Sequence, residues 1–468
     1  MYLVRKAAFF FFVGLTLGAG PAWALDPIPG EERFEEILST QQRGGAELGY
    51  TTIEGEQFFT LTPRLDLNLG KVGLGIQVPL NVRSPLGRKD GAGDKDYWGV
   101  IRYEDWDDSA EWLKVLRYVR LGHKRDPWYL RAGELAADIG HGTIMGRYLN
   151  NLDPNTFRLG LQVDVNTDWG GVETIINDLG ANLDSEASGS QIVGGRVYVK
   201  PWAFVNPESA FNIFAVGFTA ITDRNAPYVR RDEQGEELHA RVQSQSVWGL
   251  DLEADVLSNP LVDLTPYTDL NFISEAGMGW HLGILSKLKL PIGLDLQLPI
   301  RLEYRRFQGD YLPTYFSTFY DKERSSYPGS TGASQSYHVR KDQSGKDGIH
   351  GYYADLAFDF VGLIQLGAFY EGYFSGGMDP NVAVFVNVPA LEVIQFKAYY
   401  ERRGVEGPDD LFTMDDKSYA IAEGRLEIFN PLYLIARAEQ RWVDEDQDGA
   451  FEQAEPEVYF GLEFSANF

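Results

Sequence analysis

The sequence predicts an all-β chain: a transmembrane, antiparallel up-and-down β-barrel of about 18–20 strands with long extracellular loops and short periplasmic turns. Three observations carry this. Segments of about ten residues alternate strictly between apolar and polar side chains, which is the period of a strand with two different faces. The connections between them alternate between short and long. Aromatic residues recur near segment ends, at Trp128, Trp248, Phe272, Trp280, Tyr304, Tyr352, Phe374, Tyr400 and Trp442, as side chains do at a membrane–water interface.

The chain opens on a basic leader, "MYLVRK", and an apolar run, "AAFFFFVGLTLGAG", too short to span a bilayer comfortably. Pro21-Ala22-Trp23-Ala24 then offers a small-x-small cleavage site. Residues 1–24 are therefore expected to be a signal peptide, 25–45 a short periplasmic N-terminal segment, and 46–468 the barrel. The sequence contains no cysteine, so the exported chain draws its stability from hydrogen-bonded architecture rather than from disulfides. A formal charge of −26 and a pI near 4.6 disfavour nucleic acid as a partner and suit a surface that holds cations.

Period-two segments follow from residue 46 onward. In "FFTLTPRLDLNLG", Phe59, Leu61, Pro63, Leu65, Leu67 and Leu69 share one face, and Thr60, Thr62, Arg64, Asp66 and Asn68 share the other. In "GLDLQLPIRLEYRR", Leu294 to Tyr304 at even positions oppose Asp295, Gln297, Arg301, Glu303 and Arg305. Strands are expected to begin near residues 46, 58, 72, 113, 128, 157, 171, 190, 211, 245, 262, 277, 293, 350, 363, 382, 392, 417, 432 and 457. Short turns such as Gly70-Lys71 alternate with long polar connections at 84–112, 137–156, 178–189, 223–244, 307–349 and 403–416. A closed sheet satisfies its own backbone in lipid without helices. A secreted sandwich also alternates, but it has no need of this asymmetry in connection length.

The last segment, "EVYFGLEFSANF", places Phe460, Leu462, Phe464, Ala466 and Phe468 on one face. It resembles the terminal strand of Gram-negative outer-membrane β-barrel proteins, and in size and loop pattern the chain is similar to porins. The resemblance implies a cell outer-membrane location, with Phe468 as the signal read by the barrel-assembly machinery. It departs from that pattern at Ala466, where an aromatic residue is common. It also implies contact with outer-membrane lipid and lipopolysaccharide, and assembly as a homotrimer or a monomer.

If the apolar face meets lipid, the other face lines the interior. Candidate pore-lining residues are Arg64, Asp66, Arg131, Asp251, Glu253, Asp255, Asp269, Arg301, Glu303, Arg305, Glu371, Arg425, Arg437, Glu439 and Arg441. Rings of such charges set ion preference, and the acidic run 251–255 favours cations where it borders an open path. Side chains alone do not fill a barrel of this size, so an aqueous channel is expected unless loops plug it. The Gly-rich stretch 133–157 interrupts the alternation and carries His141 and Arg147, the candidates for a constriction. The aromatic stretch 307–330 is its rival. For the first, an outward surface loop is the alternative; for the second, an aromatic loop that packs only on itself.

Asp444, Asp446, Asp448, Ala450 and Glu455, with Gly449 at the turn, match the spacing D-x-[DN]-x-[DN]-G-x₅-E of a calcium loop. Strand-like flanks make it the last extracellular loop and any bound Ca²⁺ structural. The six histidines are scattered and no nucleophile motif occurs, so no enzyme is expected; catalysis would require His141 or His350 beside a carboxylate or hydroxyl at the rim. The reading is a porin-like channel for passive diffusion of a small hydrophilic solute. The alternatives are a surface-anchored binding or adhesion barrel acting through its loops, and a polymer-export channel.

Overall fold

The computed structural model describes residues 43–467 apart from 54–55, 85–99, 107–110, 152–157, 183–188, 232–236, 275, 292–294, 309–310, 325–347, 361–362, 375–379, 389–392, 416 and 444–452. Its main sheet has 22 strand segments, all joined antiparallel to their neighbours. They make 20 wall strands among the described residues. Val72–Gln77 and Leu80–Arg83 are one strand interrupted at Val78-Pro79, both halves pairing with Glu56–Leu69. Leu257–Ser258 is a two-residue rim segment.

Each strand pairs with the next in sequence, and the ring closes where Arg43–Ile53 meets Gln453–Asn467, from Arg43 opposite Asn467 to Tyr50 opposite Phe460. Closure leaves no open edge, which is what lets a sheet cross lipid. Outward positions are apolar and exposed, as at Trp248, Leu250 and Leu252, while Val247, Gly249 and Asp251 between them are buried. Among the described residues no helix is long and apolar enough to cross a membrane; the strands do so.

Both ends of the ordered barrel, together with the turns at 70–71, 168–169 and 430–431, lie at one rim. In an outer-membrane barrel that rim is periplasmic. The long connections leave from the other.

The expected strand starts correspond one to one with the observed strands. One connection does not: 223–244 is no loop. Phe214–Arg231 and Glu237–Ala254 run on as an 18-residue hairpin pair, with a register shift between Asp223 and Ala226 and pairing continued to Arg231 opposite Glu237. Outside lipid a strand has no apolar face to maintain, so its upper half lost the alternation that marked the rest.

A second, two-stranded sheet, Ala136–Ile139 with Met145–Leu149, belongs to no part of the wall. It lies inside the barrel.

Candidate functional site

The interior hairpin turns at Gly140-His141-Gly142, where both glycines take a left-handed backbone (φ 58° and 72°). Asp138 ties its base by accepting the Arg147 backbone N–H at 2.7 Å. Beside it runs the descending part of a later long extracellular connection, Tyr311 to Arg324. Its backbone docks on the hairpin: the Thr314 N–H donates to the Thr143 carbonyl at 2.8 Å, and the Phe316 N–H to the Ile144 carbonyl at 3.1 Å. Gly146 returns a bond to the Phe316 carbonyl at 3.1 Å. Arg147 (φ 54°) and Thr314 (φ 50°), two of three described non-glycine residues with positive φ, sit in these two segments. Such strain persists only where packing overrides it.

Barrel interiors are ordinarily polar. Here the upper inner wall presents Ile175, Ile192, Ile221, Val247, Ile273, Phe307 and Ile349, all buried in one cluster with Leu135, Ile139, Ile144, Met145 and Tyr148 of the hairpin. Tyr311, Leu312, Tyr315, Phe316 and Tyr320 complete it. Ile221 stands opposite Val247, and Val247 opposite Ile273, so the apolar seat runs across neighbouring strands. Tyr311 lies flat where the wall has Gly279; a Cβ there would come within 2.2 Å of its ring.

Below the seat the contacts become ionic. His141 is buried, with Nδ1 2.8 Å from Asp269 and Nε2 2.7 Å from Glu253. Both ring nitrogens face carboxylates, so both carry hydrogen. Burial alone would lower the pKa of this imidazole, but Asp269 and Glu253 outweigh it and hold it raised, at about 10. The Gly140 N–H donates to Glu173 at 2.8 Å, and Lys124 reaches the Asp138 carbonyl at 2.9 Å. On the other flank the Arg147 guanidinium stacks 3.7 Å over Phe369 and donates to the Tyr353 hydroxyl at 2.7 Å. Asp321 is held by Arg158 at 3.0 Å and by the Tyr148 hydroxyl at 2.9 Å.

Apart from Asp255 and Arg441, the charges picked out by alternation have partners on or beside the inner wall. Asp251 meets Arg196 at 2.5 Å, and Glu253 meets Arg196 at 3.4 Å in addition to His141. Arg301 meets Glu303 at 2.7 Å and the Tyr267 hydroxyl at 3.0 Å. Glu303 also contacts Arg305 and, at 2.8 Å, His281; Arg305 bridges on to Glu371 at 2.5 Å. Arg64 pairs with Glu47 at 2.6 Å, Asp66 with Arg117 at 3.3 Å, Arg425 with Glu463 at 2.8 Å and Arg437 with Glu423 at 2.6 Å. Glu439 accepts from the Tyr419 hydroxyl at 3.2 Å, and Arg131 donates to the Glu134 carbonyl at 2.9 Å. Asp251 and Glu253 of the acidic run are therefore neutralised by Arg196 and His141 rather than free to attract cations.

Asp255 departs from expectation: it lies past the end of its strand at the periplasmic rim, exposed and bonded to Lys200 at 3.1 Å. Arg441 stands opposite Glu455 in the ladder of the last two strands. Asp444, Asp446, Asp448, Ala450 and Phe468 lie outside the described residues.

Sequence reasoning passed over Glu47, Glu173, His281, Asp321 and Glu463. Glu463 was within reach, alternating with Leu462 and Phe464 on the closing strand. Asp321 was not, since nothing in an aromatic loop announces that it descends into a barrel. His141 meets the carboxylate half of the catalytic criterion, but it is deep rather than at the rim. The nearby Thr143 hydroxyl donates to Asp269 at 2.6 Å and not to the imidazole.

Neither a protein-family model nor a curated protein sequence matches the chain. Among solved structures it is similar to Pseudomonas aeruginosa OccK10 (OpdN), at 9% identity and TM-score 0.34 over 92% of this chain and 99% of that one. Pseudomonas aeruginosa OccK11 (OpdR) follows at 12% identity and TM-score 0.33 over 96% and 100%, and Pseudomonas aeruginosa OpdQ at 13% and 0.28 over 92% and 97%. Similarity this distant is no basis for a function, which must come from the interior itself.

Proposed function

We propose that this outer-membrane barrel is a porin-like channel for passive diffusion of small hydrophilic solutes, its passage narrowed by the two infolded segments. The observation that carries the reading is where those segments are fastened. Their anchors fall on the strands from Trp128–Gly133 round to Ser418–Phe429, through the apolar seat, Glu253, Asp269, Tyr353 and Glu401.

The remaining arc, from Leu432–Val443 through the seam to Val72–Gln77, is lined by paired charges. The passage is proposed to follow it. Along and beside this arc the carboxylates of Glu47, Asp66, Glu423, Glu427, Glu439 and Glu463 are balanced by the guanidiniums of Arg64, Arg83, Arg117, Arg120, Arg425 and Arg437, so it is the net charge of −26 on the chain that supports a mild cation preference. The acidic loop 444–455 is proposed to take Ca²⁺ weakly, at ~10⁻⁴–10⁻³ M, as extracellular modules do.

The test is conductance of the refolded chain in a planar bilayer under a KCl gradient. Steady conductance with a reversal potential favouring K⁺, reduced in Glu47→Gln and Glu423→Gln, is the expected outcome. The buried state of inner-wall side chains such as Glu47, Gln162, Lys397 and Glu463 favours one other reading, a closed barrel that acts through its extracellular surface. No current from well-folded barrels would decide for it.

A further inference from the structure

The outward face holds one feature that neither lipid tails nor a solute path explains. At the extracellular end, four neighbouring strands align Trp280, Arg306 and His350 in one cross-strand row, with Phe374 bonded through its N–H to the His350 carbonyl at 2.9 Å. Arg306 is exposed, and among the described residues it has no ion-pair partner. One row toward the membrane centre come Leu282, Tyr304 and Tyr352, and the next holds Ile284 and Leu302. Leu282, Leu302 and Ile284 are 42–48% exposed, as lipid-facing side chains must be. Arg306 therefore stands about 7 Å above the apolar belt, one row of side chains up. That is the level of the headgroups.

The rings around it are packed as a frame rather than scattered. Tyr304 lies 6.0 Å from Trp280 and 6.2 Å from His350, and Phe374 lies 5.5 Å from His350 and 5.2 Å from Tyr352. Another outward arginine at this rim behaves differently. Arg402, on the same strand face as Tyr400, is covered by its own loop and neutralised by Asp410 at 2.5 Å and Asp415 at 2.7 Å. In a chain with 68 acidic and 42 basic residues, this guanidinium at the lipid boundary thus has no carboxylate partner among the described residues. A bare charge there is tolerated only near the interface, and a fork of N–H donors matches phosphate oxygens.

We propose that Arg306 and His350, framed by Trp280, Tyr304 and Phe374, bind the phosphate of an outer-leaflet glycolipid, whose acyl chains run down over Leu282 and Leu302. The guanidinium supplies the paired donors, the imidazole a further N–H, and the aromatic rings pack on the sugar and the first methylenes. The site is independent of conduction and rests only on the barrel's placement in the outer membrane.

The test uses the full chain in phosphatidylcholine nanodiscs, titrated with a diphosphorylated lipid A-type glycolipid and with its dephosphorylated form, read by native mass spectrometry. Wild type should retain the phosphorylated form about tenfold more tightly. Arg306→Gln with His350→Gln should bring it down to the level of the dephosphorylated lipid, while Arg306→Lys retains part of the preference. Equal retention of both lipids by wild type, a comparison that needs no variant, overturns the proposal. So does full competition by millimolar inorganic phosphate, which would mark an anion site and not a lipid site. Bilayer conductance reads the channel separately, so either reading can fail alone.

Discussion

His141 stands 2.8 Å from Asp269, although the two are 128 residues apart in sequence. The first belongs to a connection that had a whole extracellular surface to occupy, the second to the inner wall. Their ion pair, shared with Glu253 at 2.7 Å, fixes how deep the hairpin reaches.

Replacing His141 by Ala takes the cation away from Asp269 and leaves Glu253 with Arg196 alone. Breaking one partner from a buried pair costs about 3–5 kcal/mol, and here that cost falls on hairpin docking. Single-channel recordings of His141→Ala should show a larger mean conductance and more frequent transitions than wild type. An unchanged current would mean that the hairpin does not border the path.

The same imidazole sets a pH dependence. Its pKa is raised in the docked state, so its contribution is complete below the ordinary histidine value of about 6.5 and is lost as pH rises through about 10. Docking should weaken progressively over that interval and not on acidification through pH 6. Titration of ¹³C-labelled His141 by NMR would check this, with a midpoint near 10 expected and one near 6.5 refuting the clamp.

Phe316 is fully buried at the contact between the two infolded segments. Phe316→Ala should cost about 3–5 kcal/mol as a cavity between them. Hydrogen exchange at the Gly146 and Phe316 amides, which bond across that contact, should accelerate while the wall ladders stay protected. Uniform acceleration would show that plug and wall unfold together.

On the proposed passage, Arg425 and Glu463 form a bidentate pair at 2.8 and 3.1 Å, with Arg425 stacked 3.6 Å over Tyr433. Either single change to Met should destabilise the barrel to urea by about 3–5 kcal/mol, whereas the double change should cost far less. Additive losses would show that the two side chains act independently.

The wall was legible because lipid enforces period two: Leu294 to Tyr304 had to alternate with Asp295 to Arg305. Where that demand ends, legibility ends. Residues 224–231 and 237–243 stay in a strand ladder beyond the apolar belt and read as a loop. Inward parity found Asp251 and Arg425, but not their partners Arg196 and Glu463, since pairing joins strands through register that no local pattern encodes. The seat of Ile221, Val247 and Ile273 left only a faint trace, apolar residues at positions whose parity is otherwise polar. Both 133–157 and 307–330 read as constriction candidates; that they pair with each other did not, because the bonds between them are backbone bonds.

The seam between Arg43–Ile53 and Gln453–Asn467 imposes an order in time. Every other strand can find its neighbour as soon as that neighbour reaches the membrane, but the first must wait for the last. Until then the growing sheet has two raw edges, each a template for pairing with the wrong chain. A protein stopped short of Gln453 would thus be an unsealed ribbon rather than a smaller pore, and the cell must escort even the complete chain until its two ends meet.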